Sequence, residues 1–386
     1  VDVDVDGPSD LIPYRYELGK TYNGMAALEI MKGGDVQWDK AMSLFEQAER
    51  NFLHGYELDD GQRTVEDDDG SRNDHVLNAT NDHSSSSTRD DVSKAAIEQM
   101  SPLHVEFLIG IRSNMGELLR RRGQSEEALQ KYQLALDMAR LALEIENEKA
   151  QHSTKSEMMI SDNGPSRVEQ GNTIVDLLVN IADNHASAED FDAAAEAYEQ
   201  ALNSHVFFRR WSDENDNDNA RTSQSSSSNV LPATIASSTK IKFDLNAATT
   251  IEAAIRNNLA TALGQIGQDK LALEHYEASL AVKRRVGGDF HMEIAHTLMG
   301  MGALLGGPLK DFTKGLNCFK EALFIYRTNL DELSGENGSS GNQDGFFGDE
   351  DSEEIDKHIQ NALKNISLIE AALLKNRDGA SNRRRR

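Results

Sequence analysis

RNNLATALGQIGQDKLALEHYEASLAVKRRVGGDFHMEIAHTLMGMGALL, residues 256–305, repeats its apolar positions at three- and four-residue steps, contains no proline, and breaks at Gly267 and Gly287-Gly288. That period is the helical one, so the stretch reads as the end of one helix and two further helices separated by glycine turns. In the middle helix a ring stands between two small residues, Ala272, Tyr276 and Ser279. Positions i, i+4 and i+7 share one helix face, so the ring projects where a neighbouring helix can approach closely.

The same triad recurs in both directions along the chain: Ala41, Phe45, Ala48; Ala128, Tyr132, Ala135; Ala194, Tyr198, Ala201; and Gly315, Phe319, Ala322. Upstream of the last four triads stands an apolar residue followed by a small one, Met115-Gly116, Ile181-Ala182, Leu259-Ala260 and Met301-Gly302, at the place where two helices would cross. Helix pairs are expected at Tyr14 to Met31 with Trp38 to Phe52, Pro102 to Arg122 with Glu126 to Glu146, and Val168 to Ser187 with Asp192 to Phe208. Two more run Leu245 to Ile266 with Asp269 to Arg285 and His291 to Leu305 with Asp311 to Leu330, followed by a last helix, Glu353 to Lys375. Ser101-Pro102, Asp190, Asp244 and Ser352 suit helix starts, and Gly123, Gly267 and Gly287-Gly288 suit helix ends.

Between the helical stretches lie polar, acidic segments such as Ser84 to Ser87, Asp213 to Asn219 and Ser225 to Ser228. They hold too little apolar surface to offset chain entropy and read as disordered insertions. The expected organisation is a disordered start (1–13), a helix pair (14–58), an insert (59–94), a repeat (95–147), an insert (148–166), a repeat (167–211) and an insert (212–240). Two repeats (241–288 and 289–333), an insert (334–352), a capping helix (353–376) and a basic tail (377–386) complete it.

Spacing, turns and small residues together resemble the tetratricopeptide repeat, a 34-residue helix-turn-helix unit. The resemblance covers about two hundred residues and rests on Gly116, Ala128, Tyr132, Ala135, Ala182, Ala194, Tyr198, Ala201, Ala260, Ala272, Tyr276, Phe319 and Ala322. It implies an all-α fold, a right-handed superhelix or α-solenoid of antiparallel helix pairs whose first helices line a concave wall. Residues 256–305 look closer still to the kinesin light chain subtype, with a Gly-Asp-Phe-His linker and a 43-residue step from Tyr276 to Phe319 that the turn Gly306-Gly307-Pro308 lengthens. No heptad run is present, so the resemblance does not extend to that family's coiled coil.

In that register Asn114, Asn180 and Asn258 stand two residues before the small position of each first helix, with Asn365 in the corresponding place on the last. The resemblance implies that these asparagines face the groove and clamp the main chain of an extended peptide, because an amide both donates and accepts. A plainer reading makes them polar residues on a solvated wall. Glu117, Arg120, Arg121, Asp176, Asp183, Asn257, Thr261 and Gln265 are expected on the same face. Members of the superfamily that grip a chaperone's terminal carboxylate carry lysine four residues before such an asparagine. Here those places hold Gly110, Asp176 and Ala254, which argues against that partner.

Composition narrows the partner class. Of 386 residues, 38% are hydrophobic and only 6% aromatic, thin for several full cores, and 65 acidic against 40 basic residues give a formal charge of -25. Such a charge repels phosphate backbones and anionic lipid alike, so neither nucleic acid nor membrane is the expected partner. One cysteine, Cys318, excludes a disulfide framework and suits a reducing compartment, so the cytoplasm is expected, with the Arg383 to Arg386 run admitting the nucleus. The chain starts at Val1 rather than Met, which reads as a fragment or processed form.

Catalytic and metal signals are poor. Asp2, Asp4, Asp6 and Gly7 match the first half of a calcium loop, but Pro13 stands where a bidentate glutamate is needed. His291 and His296 are five apart, not the four of a zinc-binding helix, and Gly300, Gly302, Gly306 and Gly307 lack the strand and lysine of a phosphate loop. No cofactor, no metal and no catalytic residue are therefore expected, and Cys318 reads as a packed thiol. A non-catalytic scaffold or adaptor that binds a protein or peptide partner is the expected function. A structural subunit of a larger assembly, or the regulatory region of an enzyme whose catalytic part lies elsewhere, are the alternatives, and the sequence leaves the oligomeric state open. Serines 84–87 and 225–228 offer phosphorylation sites that would add charge near the groove.

Overall fold

The computed structural model describes residues 12–53, 92, 94–152, 167–220, 248–333 and 349–383. Among these the regular structure is helical throughout: α1 (Ile12–Lys32), α2 (Asp35–Leu53), α3 (Lys94–Gln99), α4 (Pro102–Arg121), α5 (Ser125–His152), α6 (Arg167–Ser187) and α7 (Phe191–Ala220). Then come α8 (Thr250–Gln265), α9 (Asp269–Gly287), α10 (Met292–Gly306), α11 (Phe312–Leu333) and α12 (Asp349–Arg383). The chain forms two compact units, one built on Val1–Asn180 and one on Ile181–Arg221 with Ile235–Arg386. The fold is all-α, a succession of helix pairs in each unit.

One turn geometry joins four of the pairs. Gly123 and Gly267 adopt φ of 75° and 81°, and Glu189 and Lys310 take the same left-handed region at 61° and 57°. All four stand five residues before the small residue that opens the next triad: Ala128, Ala194, Ala272 and Gly315. In three of them the following amide reaches back to close the helix end, Gln124 N–H to Leu119 O at 2.9 Å, Asp190 N–H to His185 O at 2.9 Å and Gln268 N–H to Leu263 O at 2.8 Å. This is the Schellman closure that satisfies carbonyls left over at a helix terminus.

Helix starts are set by side-chain caps. Ser101 accepts from His104 N–H at 3.3 Å, Asp190 from Ala193 N–H at 3.3 Å, and Asp311 from Lys314 N–H at 3.2 Å. Several expected boundaries move. α8 starts at Thr250 rather than Leu245, because Thr249 caps it by accepting from Glu252 N–H at 3.1 Å. Asp244 lies outside the described residues. α12 starts at Asp349, so Ser352 is an interior helix residue and not its cap, and the helix continues to Arg383 through the expected basic tail. α5 and α7 run on to His152 and Ala220, into stretches expected as inserts. Extending an existing helix adds one bond per residue without a new nucleation step, so polar composition alone does not stop it. Residues 1–11, 54–91, 93, 153–166, 221–247, 334–348 and 384–386 lie outside the described residues, and with them what remains of the expected start, inserts and tail, the end of the first helix pair (54–58) and the beginning of the repeat at 241–288.

In the first unit α1 packs on α2, α2 on α4 and α4 on α5 around Phe45, Phe52, Leu108, Ile111, Tyr132 and Leu136. Arg112 lies in this core at 1% exposure, donating to Glu49 at 2.7 Å across the α2–α4 contact. In the second unit α7 packs on α8 and each later helix on its successor. A charged cluster is buried there: Glu252 accepts from Arg209 at 2.7 Å and from Arg256 at 2.8 Å. Burying a charge is costly unless it is paired, and both cores meet that condition by ion pairs within and between packed helices.

Candidate functional site

The rings of the triad are buried, and three of them are received by a glycine on the facing helix. A methyl group placed on Gly116 would lie 2.7 Å from the Tyr132 ring, and one on Gly302 the same distance from Phe319. Real carbon contacts do not approach so closely, so these helices cross at a separation that only glycine permits. Gly300 receives Tyr276 in the same way, at 2.6 Å from its hydroxyl oxygen. Ala128, Ala135, Ala182, Ala194, Ala201, Ala260, Ala272 and Ala322 are all buried.

Each tyrosine also carries a hydroxyl, and a buried hydroxyl needs a partner. Tyr132 donates to Glu117 at 3.2 Å, Tyr198 donates to Asp183, and Tyr276 shares a hydrogen bond with Thr261 at 2.8 Å. In all three the partner is the residue directly after the small one of the first helix. Where the ring is Phe319, the equivalent residue is Ala303, which offers no polar group. Glu117, Asp183 and Thr261, expected as groove residues, are thus held by their own repeat. Glu117 is held further: Arg120 and Arg121 donate to it at 2.9 and 2.7 Å, and despite the upward push of burial these guanidiniums keep its carboxyl below the usual range.

The asparagines occupy different surroundings. Asn114 is exposed and makes no hydrogen bond among the described residues. Asn180, half-buried, donates to Ser113 at 3.3 Å. Asn257 accepts from Thr297 of α10 at 2.9 Å, which places it at a contact between successive pairs rather than on an open wall. Asn258 accepts from Asn257 at 3.4 Å, and Asn365 on α12 donates to Asn361 at 3.3 Å.

Around Asn114 the first unit opens into a cleft of about 550 Å3. First helices build it: α1 contributes Asn23; α4 contributes Leu103, Glu106, Phe107, Ile109, Gly110, Ser113 and Asn114; and α6 contributes Thr173, Asp176 and Leu177. Apolar side chains make one part of the lining, and amides, hydroxyls and the Glu106 and Asp176 carboxylates the other, the usual make-up of a ligand site. The Asn23 carbonyl oxygen is buried and without a hydrogen-bond partner. Burial among these helices pushes the Asp176 carboxyl up from its ordinary value. Gly110 leaves the cleft open, since nothing lies within 4 Å of where its Cβ would be.

Sequence reasoning placed Asn114, Gly110 and Asp176 on this wall but missed Asn23, Leu103, Glu106, Phe107, Ile109, Ser113, Thr173 and Leu177. The register of α4 and α6 carried a usable signal for Ser113 and Leu177, which adjoin or flank the named positions. For Asn23 the register gave no signal, because the apolar-small steps of α1, Leu18-Gly19 and Met25-Ala26, stand 22 and 15 residues before Ala41, against 12 or 13 in the other pairs.

Among the described residues no three His, Cys, Asp or Glu converge as metal ligands, and no helix is long and apolar enough to cross a membrane. The Asp2 to Pro13 stretch lies largely outside those residues. His291 caps α10, its ring nitrogen accepting from Glu293 N–H at 3.3 Å, while His296 packs beside His358 and Tyr326. Burial pushes the Cys318 thiol up, away from the thiolate a nucleophile requires.

No curated protein matches this sequence. Among solved structures it is similar to BtubC (BKLC) from P. vanneervenii, at 18% identity over 73% of this chain and 84% of that one, with a TM-score of 0.40. It is also similar to the TPR2AB domain of yeast Sti1 in its pHSP90 complex, at 13% identity over 92% and 99%, with a TM-score of 0.21. Two family models, both described as tetratricopeptide repeat, match residues 112–146 and 251–328. Those matches fall on α4–α5 and α8–α11, where rings seat against glycine or close on polar partners, and these two stretches of the chain accordingly carry tetratricopeptide repeats.

Proposed function

We propose that this chain is a non-catalytic adaptor or scaffold that holds an extended segment of a partner protein in the cleft of its first unit, with Asn114 clamping the segment's main chain. Tetratricopeptide repeats generally mediate protein–protein interaction, and two stretches of this chain match them. The observation that carries the specific reading is the cleft, where Leu103, Phe107, Ile109 and Leu177 stand beside an exposed amide that nothing else engages. An amide donates and accepts at once, so it reads a peptide backbone whatever the side chains. Asn180 supports the clamp through Ser113, and Asn258 and Asn365 are proposed to do the same work on their own helices of the second unit. The 43-residue step from Tyr276 to Phe319 supports a kinesin light chain-like type for residues 251–328, and the cytoplasm is the proposed compartment.

Gly110→Leu tests the cleft. The substitution fills it from a helical position with open space around it, so the melting temperature is expected to hold or rise slightly. Partners captured from a lysate and identified by mass spectrometry are expected to be lost, as with Asn114→Ala. Capture of the same partners by wild type and both variants would end the reading.

A second reading, a structural subunit of a larger assembly, is favoured by the exposed apolar residues Met25, Leu28, Met31 and Val36 at the α1–α2 turn and the face leading to it. It expects partner loss in Leu28→Asp with Met31→Asp and none in Gly110→Leu.

A further inference from the structure

The cleft carries a charge signature. Glu106 from α4 and Asp176 from α6 line it, and no lysine, arginine or histidine does. Neither carboxylate makes an ion pair among the described residues, whereas other carboxylates of the first unit hold cations: Glu29 both Lys32 and Lys40 at 2.8 Å, Glu49 Arg112, and Glu117 two arginines. Lys20 of α1, which lies over the Tyr16 and Phe107 rings, is bonded to Glu17 at 3.3 Å and is not part of the lining. An uncompensated negative potential beside apolar side chains is therefore built into this cleft, where the low-dielectric walls strengthen it.

We infer that the segment this cleft takes presents a lysine or arginine beside an aliphatic or aromatic residue, the cation meeting Glu106 and Asp176 and the apolar side chain meeting Leu103, Phe107, Ile109 and Leu177. The inference rests on the proposal that the cleft is a peptide site and adds the chemistry of its occupant. A bound cation stabilises the ionised Asp176, whose carboxyl burial otherwise pushes up, so affinity falls as pH drops through that raised range. It also falls with ionic strength, since part of the attraction reaches through solvent.

The test is selection of a randomised nonapeptide phage library on the whole chain, with counter-selection on Gly110→Leu, whose fold is checked by its thermal transition. Sequences depleted by the counter-selection are expected to share Lys or Arg adjacent to Leu, Ile, Phe or Met. The best of them, as a fluorescein-labelled peptide, is expected to bind Asp176→Asn and Glu106→Gln at least fivefold more weakly in 50 mM NaCl, with the difference shrinking in 500 mM. Enrichment of acidic or uncharged sequences that the counter-selection still removes would overturn the inference and leave the cleft as a peptide site. If the counter-selection removes nothing, the cleft reading fails and the inference with it.

Discussion

Gly116 and Gly110 lie six residues apart on α4 and do opposite things. Gly116 faces the Tyr132 ring and Gly110 faces open space. Gly116→Ala is expected to destabilise the first unit by about 1–3 kcal/mol, since overpacking forces the ring or the helix axis to shift. Gly110→Ala should stabilise it by up to about 1 kcal/mol through helix propensity alone. Urea midpoints of the two variants and the wild type check both signs in one experiment, and equal midpoints would contradict the close crossing of α4 and α5.

At the scale of the element, the left-handed turn between paired helices is an untuned position. Glycine fills it at Gly123 and Gly267, but Glu189 and Lys310 hold the same geometry at a cost of about 1–2 kcal/mol each for a side chain in that region. Glu189→Gly and Lys310→Gly are expected to raise stability by about 0.5–1 kcal/mol, the remainder being offset by the greater freedom of glycine in the unfolded chain. Rising urea midpoints would show it. The buried cluster that joins α7 to α8 runs the other way. Glu252→Gln leaves Arg209 and Arg256 facing each other without a counter-charge and is expected to cost about 3–5 kcal/mol. The thermal transition of the second unit, followed by circular dichroism, would move down accordingly.

For the whole molecule the main lever is pH. Burial, with the Arg256 charge beside it, pushes His275 down to about 4 from 6.5, and burial lowers His205 and His296 as well. A histidine whose folded value lies below its unfolded one stabilises fully above pH 6.5, and that contribution goes as pH falls toward 4, because the unfolded chain takes up the proton first. Allowing for partial solvent screening, His275 is expected to account for about 1–2 kcal/mol lost by pH 5. Glu117 and Glu293, held low by their cations against the push of burial, lose their contribution only in the more acidic carboxylate range. The charge of -25 acts against this trend, since self-repulsion relaxes as the chain nears its isoelectric point of about 4.8. The urea midpoint of wild type should fall from pH 7.5 to pH 5 by more than that of His275→Gln, in which the general charge effect is nearly the same. Parallel curves would remove the histidine from the account.

Periodicity and the small-ring-small spacing were enough to determine an all-helical chain of paired elements, and to pick out Tyr132, Tyr198, Tyr276 and Phe319 as interior residues. Side chains three and four apart must share a helix face, so a one-dimensional pattern fixes which face is buried. Tertiary structure alone decided the fate of the polar residues on those helices. Glu117, Asp183 and Thr261 are taken up by tyrosine hydroxyls, Asn257 by Thr297, and Asn114 by nothing. Which amide or carboxylate stays free depends on what the neighbouring helix places within hydrogen-bonding distance of it, and packing sets that distance. Asn23 and Asp176, 153 residues apart, line one cleft for that reason.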